Sequence, residues 1–299
     1  MRFFLKITSI TSKMSIESTR WCFNSKNWNP THSEMLLSTS CVQSEEKDRL
    51  IKFVFKDDFK SSLIGRLMMR KFVSESTQLE YNKIRFKRDD KGKPILIDPE
   101  KRFSNLSFNV SHQGDYVVIA GEKNLPNIGV DVMKIEYSGS KSLSEFFRIM
   151  NRQFSQLEWL NIKGCGSERE QLAMFCRHWS LKESYVKAIG VGITINLQDI
   201  SFKINTKRLR KDVLVSDTEL FIKNQKVNWE FQEMLLNDDH CVSVALNKTC
   251  LNENFQPKSL FREISFEELT KNSIPLLESD EEYVKLFFNK IYKKREVRK

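Results

Sequence analysis

Residues 179–193, WSLKESYVKAIGVGI, set Glu183 and Lys187 four positions apart in a segment with helical spacing. Advancing about 100° per residue from Leu172 brings Phe175, Cys176, Trp179 and Val186 within roughly 60° of one line, and Glu183 falls inside that band. Lys187 sits at its edge. The opposite side carries Met174, Leu181, Tyr185 and Ala188, so a helix over 168–189 is expected to be buried on both sides. A carboxylate there is costly unless it is paired or meets a cation. The bland reading is an i,i+4 Glu–Lys pair, worth about 0.3–0.5 kcal/mol on an exposed face. The apolar surroundings of Glu183, and Gly190 and Gly192 closing the helix, favour a functional site.

The chain has 299 residues, 40% of them apolar, with 22 Phe, enough for a packed core of one large domain or two ordinary ones. No apolar run approaches the length of a membrane span, so a soluble protein is expected. A net charge of +10 points to an anionic partner: nucleic acid, a phosphorylated small molecule or an acidic protein. An RNA-binding module would need aromatics interleaved with Lys and Arg on a strand, and none is seen. No specific nucleic acid is therefore expected. The six cysteines form no CxxC pair and the four histidines are scattered, which favours free thiols in a reducing compartment over structural zinc. The opening MRFFLKITSITSKM is basic and free of acids, as a mitochondrial presequence is, but its low Arg density favours a leader upstream of a start at Met14. The cytosol is the expected compartment, with mitochondrial import the minority reading.

No repeat of 20–50 residues is present. Residues 45–75 have helical spacing with Leu50, Phe53, Val54, Leu63, Ile64, Leu67 and Met68 as core positions. IRFKRDDKGKPIL (84–96) reads as strand, turn, strand, with strands at 106–110, 116–121 and 128–135 after it. Helices follow from 142, capped by Ser142 or Ser144, and then the long helix. Four strand-like stretches occupy 196–248. Beyond about residue 250 the chain turns polar and ends in NKIYKKREVRK, read as a solvated basic tail.

Three stretches stand together. FNVSHQGDYVVIAG (108–121) puts Ser111 and His112 at a strand end. IGVDVMKIE (128–136) alternates, so Asp131 and Met133 face opposite to Ile128, Val130 and Val132. FCRHWSLKESYVKAIG (175–190) is the helix above. In this order and spacing they resemble the 4′-phosphopantetheinyl transferase superfamily, whose signature is a (V/I)G(V/I)D strand followed by a W-(S/A/T)-x-K-E-(A/S)-x-x-K helix. FNVSH matches the surfactin-synthetase-activating type. EEKDR, GRLMMRK, KGKP and EFFRIM are similar to its stand-alone eukaryotic branch, named for aminoadipate-semialdehyde dehydrogenase. The resemblance covers roughly residues 20–246, and FREISFEEL (261–269) belongs with it.

That resemblance implies an α+β fold of two similar halves, 15–125 and 126–250, related by a pseudo-two-fold with coenzyme A between them. Residues 1–14 are then a leader and 251–299 an extension. It implies transfer of the 4′-phosphopantetheine arm of coenzyme A to a serine of apo acyl carrier domains, with magnesium on Asp131 and Glu183 beside the diphosphate. Glu183 would be the base, and Lys187 would contact the diphosphate and the developing charge. Coenzyme A contacts carry over to Arg49; to Arg88, Asp89, Asp90, Lys91, Gly92 and Lys93; to Asn109, Val110, Ser111 and His112; and to Asp131, Glu183, Ser184, Tyr185, Val186 and Lys187. For Lys91, plain surface charge is an equal reading. One departure is Met133, where bacterial relatives often have a second acid. A thioether is a poor magnesium ligand, so the third is expected to be water or another side chain, with Gln113 the candidate. Carriers of fatty acid synthase, aminoadipate reductase or mitochondrial type all qualify, and the fused halves imply a monomer. A catalytically dead member that only binds is the alternative, opposed by intact Asp131, Glu183 and Lys187.

Overall fold

The computed structural model describes residues 16–192, 195–248 and 259–293. The first half runs β1 (Ser18–Asn24), α1 (His32–Ser40), α2 (Ser44–Leu50), α3 (Lys56–Thr77), β2 (Phe86–Arg88), β3 (Pro94–Leu96), β4 (Ser107–Gln113) and β5 (Tyr116–Glu122). The second runs β6 (Ile128–Lys134), α4 (Leu143–Ile149), α5 (Gln156–Lys163), α6 (Glu168–Ile189), β7 (Ile200–Lys203), β8 (Glu219–Ile222), β9 (Gln225–Val227), β10 (Trp229–Asn237) and β11 (His240–Asn247). Each series is a strand, two short helices, a 22-residue helix, a small antiparallel ribbon and a closing hairpin. Strand order repeats as well. β5 lies between β1 and β4, and β11 lies between β6 and β10, all antiparallel. The expected α+β architecture of two similar halves is present.

Local chemistry sets the long helix. Ser167 caps α6 and Glu170 returns to the cap backbone, while Gly190 closes it at φ 66, a left-handed conformation that glycine adopts without steric cost. Ser155 and Glu158 make the same box on α5, and Ser142 caps α4. In β5, Val117 and Ile119 pack toward α3 beside Phe72, whereas Val118 and Ala120 turn to Val130, Val132 and Val244. The two sheets therefore share a core, with a long helix on the outer side of each. β4 and β6 run side by side, pinned where Asn109 Oδ1 accepts the Val130 N–H at 2.9 Å.

Residues 45–75 do not form one helix. Segment 51–55 leaves the helical path: Phe55 bridges Ile291, and the Lys290 ammonium takes the Ile51 and Phe53 carbonyls at 2.8 and 2.7 Å. Val54, expected in the core, is 65% exposed as a result. Residues 289–293 of the expected basic tail are held by these contacts, and all but Lys290 remain exposed. Residues 294–299, like the leader 1–14 and Met14, lie outside the described residues. β12 (Arg262–Glu263) adds parallel to β1, followed by α7 (Phe266–Thr270) and α8 (Glu281–Phe288), and α8 sinks Tyr283, Val284 and Phe287 into the first half's core. Among the described residues no helix is long and apolar enough to cross a membrane.

Candidate active site

Gly129 decides how near β6 comes to α6. A Cβ there would lie 2.0 Å from the Ser184 carbonyl oxygen and 2.5 Å from the Ala188 nitrogen, so only glycine permits this contact. One register step on, Ser180 Oγ donates to the Asp131 carbonyl at 2.9 Å and fixes the crossing. Asp131 consequently faces the last turns of α6. Lys187 Nζ donates to Asp131 Oδ1 at 2.6 Å and to Ser111 Oγ at 2.9 Å, and Ser111 Oγ donates to the same Oδ1 at 2.9 Å. Ser111 thus joins Asp131 and Lys187 in one hydrogen-bonded cluster. This cluster takes one residue from β4, one from β6 and one from α6, across the seam of the two halves.

Glu183 stands one turn before Lys187, half-buried. Desolvation first, and then repulsion by Asp131, push its carboxyl above the usual range, while Lys187 pulls the other way. Asp131, 5% exposed, is also pushed up by burial against the pull of Lys187 and Ser111. Among the described residues Lys187 is ion-paired with Asp131 alone and acts on Glu183 only through its charge, and the buried Asp131 Oδ2 has no hydrogen-bond partner. An unmatched anionic oxygen beside a second carboxylate fits a hard divalent cation. Among the described residues no group of three or more His, Cys, Asp and Glu is gathered for a metal. Met133 pairs with Cys241 and packs into the second half's core. The Gln113 amide oxygen accepts the Lys134 N–H, so the expected third ligand is already engaged in joining β4 to β6.

A cleft of about 460 Å³ opens on the first half, lined by Arg49, Arg66, Lys87, Arg88, Val110 and His112 among others. His112 stands between the two groups. Its imidazolium is disfavoured by desolvation and then by Lys187, with Arg66 adding to this. The turn between β2 and β3 is held by Asp89, whose carboxylate accepts the Lys91 and Lys93 N–H groups at 3.0 and 2.8 Å, and Gly92 takes φ 84. Asp90 and Lys91 are exposed, and Arg88 donates to the Gly92 carbonyl.

Family models match both halves: "4'-phosphopantetheinyl transferase, N-terminal" over residues 26–124 and "4'-phosphopantetheinyl transferase superfamily" over 127–245. The chain is 40% identical over 273 residues to the L-aminoadipate-semialdehyde dehydrogenase-phosphopantetheinyl transferase of Xenopus laevis, covering 89% of this chain and 90% of the relative. The Homo sapiens protein of that name is 38% identical, with 89% of each covered. The 4'-phosphopantetheinyl transferase Sfp of Bacillus subtilis is 30% identical, over 56% of this chain and 68% of its own. The chain belongs to the 4′-phosphopantetheinyl transferase superfamily.

In this transferase the fold brings Ser111, Asp131, Glu183 and Lys187 together and places Arg49, Arg88 and His112 on the adjoining cleft. Ser184, Tyr185 and Val186 are different. Ser184 is fully buried, with its hydroxyl on the Leu181 carbonyl, while Tyr185 sets its ring edge-on to Trp229 and Val186 packs in the second half's core. Their side chains hold the helix and do not line the cleft. Lys182, next to Glu183, also points inward, to Glu158 at 2.9 Å and the Leu197 carbonyl at 2.8 Å. Arg66 was not singled out by sequence, although it lies in the quoted GRLMMRK; nothing in helical spacing tells which arginine of α3 faces a cleft. A larger cavity, about 590 Å³, lies at the opposite end of α6. Its Arg169, Arg177 and Arg208 are paired with Asp239, Glu233 and Glu170, and Ser111, Asp131, Glu183 and Lys187 do not line it.

Proposed function

We propose that the protein transfers the 4′-phosphopantetheine arm of coenzyme A to the serine hydroxyl of an apo carrier domain, releasing adenosine 3′,5′-bisphosphate. The observation that carries this reading is the junction of the Ser111–Asp131–Lys187 cluster and Glu183 with an arginine-lined cleft. Glu183 accepts the proton of the carrier serine. The serine oxygen bonds to the phosphorus that bears the pantetheine arm, and the bond from that phosphorus to the bridging oxygen breaks, so the bisphosphate leaves with the electron pair. Burial raises the proton affinity of Glu183 and so suits it to this task. Lys187 lies one turn along to meet charge on the diphosphate. Asp131 Oδ2 and Glu183 would hold magnesium, which neutralises diphosphate charge when bound. Serving carriers of the aminoadipate reductase type accords with the names of the relatives, and fatty acid synthase and mitochondrial carriers stay within the same chemistry. The protein acts as a monomer in the cytosol in this reading.

Mass spectrometry of an apo-carrier incubated with the protein, coenzyme A and magnesium tests it. The carrier should gain the mass of the arm, and chelation should abolish the gain. Full conversion in chelator would remove magnesium from the reading, and an unmodified carrier with every donor would remove the reading itself.

A further inference from the structure

Arg66 is 7% exposed and lines the cleft beside Arg49 and Arg88. Three elements deliver these side chains: α2, α3 and β2. Its Nη1 donates to the Ser62 carbonyl at 2.8 Å, one turn back, which fixes the guanidinium against its own helix. Its Nε has no hydrogen-bond partner among the described residues. The nearest carboxylate, Glu46, stands 3.5 Å from that Nε. Glu46 is already engaged: its Oε2 accepts the Gln43 N–H at 3.0 Å and lies 3.4 Å from Arg70. A buried donor left unmade is costly, and so is a guanidinium facing two others. Four cationic side chains against two carboxylates line this cleft. Desolvation weakens proton binding at Arg66, the Glu46 charge opposes it, and the charges of Arg88 and Arg49 weaken it further.

We infer that Arg66 grips a phosphate monoester in this cleft, and on the coenzyme A reading above this is the 3′-phosphate. A monoester dianion presents three terminal oxygens, enough for the forks of Arg49, Arg66 and Arg88 together. Glu46, ion-paired at 3.5 Å with the buried Nε, holds Arg66 in position by its charge.

Arg66→Met and Arg66→Lys test this, with coenzyme A and dephospho-coenzyme A as donors, and with adenosine 3′,5′-bisphosphate and adenosine 5′-monophosphate as calorimetric ligands. A lost charged hydrogen bond is worth about 10- to 100-fold. Arg66→Met should raise the coenzyme A KM and the bisphosphate Kd by about that factor, with kcat and the dephospho-coenzyme A KM changed less than about threefold. Arg66→Lys should recover part of the loss, having the charge without the fork. Arg88→Ala should show the same split between donors. Equal losses for both donors, or no loss for either, would overturn the assignment. If the parent protein turns over neither donor, the transferase reading falls, and the two adenosine ligands still decide Arg66. Should Arg66→Met fail to fold, Arg66→Lys carries the same comparison.

Discussion

Glu183 is where residue chemistry is most exposed to test. Glu183→Gln keeps the shape and removes the base, so turnover should fall by about 10²–10⁴-fold while coenzyme A affinity changes far less. A loss of only a few-fold would return Glu183 to an i,i+4 pair with Lys187. The pH profile follows from the sign of its shift. In the metal-free protein the Glu183 carboxyl binds its proton more tightly than an ordinary glutamate, so its titration followed by NMR should fall above pH 4.5, and added magnesium should draw it down; a metal-free midpoint at or below the ordinary glutamate value would contradict this. Glu183 was legible in the sequence because it is charged where the helical period demands an apolar side chain, whereas Asp131 stood out only through the IGVD motif. Arg66 was not, since an arginine on a helix has no such anomaly. The role of Ser111 needed the distance between β4 and β6, which no local pattern encodes.

At the scale of elements, the crossing of β6 on α6 does most to shape the site. Gly129→Ala must push strand from helix, because a Cβ has backbone atoms on its far side rather than a flexible side-chain end. A loss of about 1–3 kcal/mol in stability is expected, together with a fall in turnover as Asp131 moves away from Lys187; denaturant melts and kinetics on the same samples would show both. An unchanged Tm with full activity would mean the contact is looser than described. The bounds of α6 were readable because capping box and closing glycine both lie within its own sequence. The break at 51–55 was not, because its cause is Lys290 and Ile291, more than 230 positions away. Ser184, Tyr185 and Val186 come with the motif as expected coenzyme A contacts, and their side chains pack into the second half because only one face of a helix can look into a cleft.

For the whole molecule, the repeated strand order was expected, but the return of residues 262–293 to the first half was not. Their polar stretches hide a strongly sided helix, α8, whose Phe287 ring lies 4.9 Å from that of Phe59. Phe287→Ala should cost about 3–5 kcal/mol, though it is far along the chain from Glu183. Thermal unfolding should register the loss, and the specific activity of the folded fraction should stay near the parent value; a loss of activity without a loss of stability would argue against a purely packing role. That return has a consequence in time. A ribosome releases the first half's helices and strands long before Tyr283, Val284 and Phe287 emerge, so this half lacks part of its core until those residues have been made. The nascent N-terminal portion is therefore the part that most needs shelter.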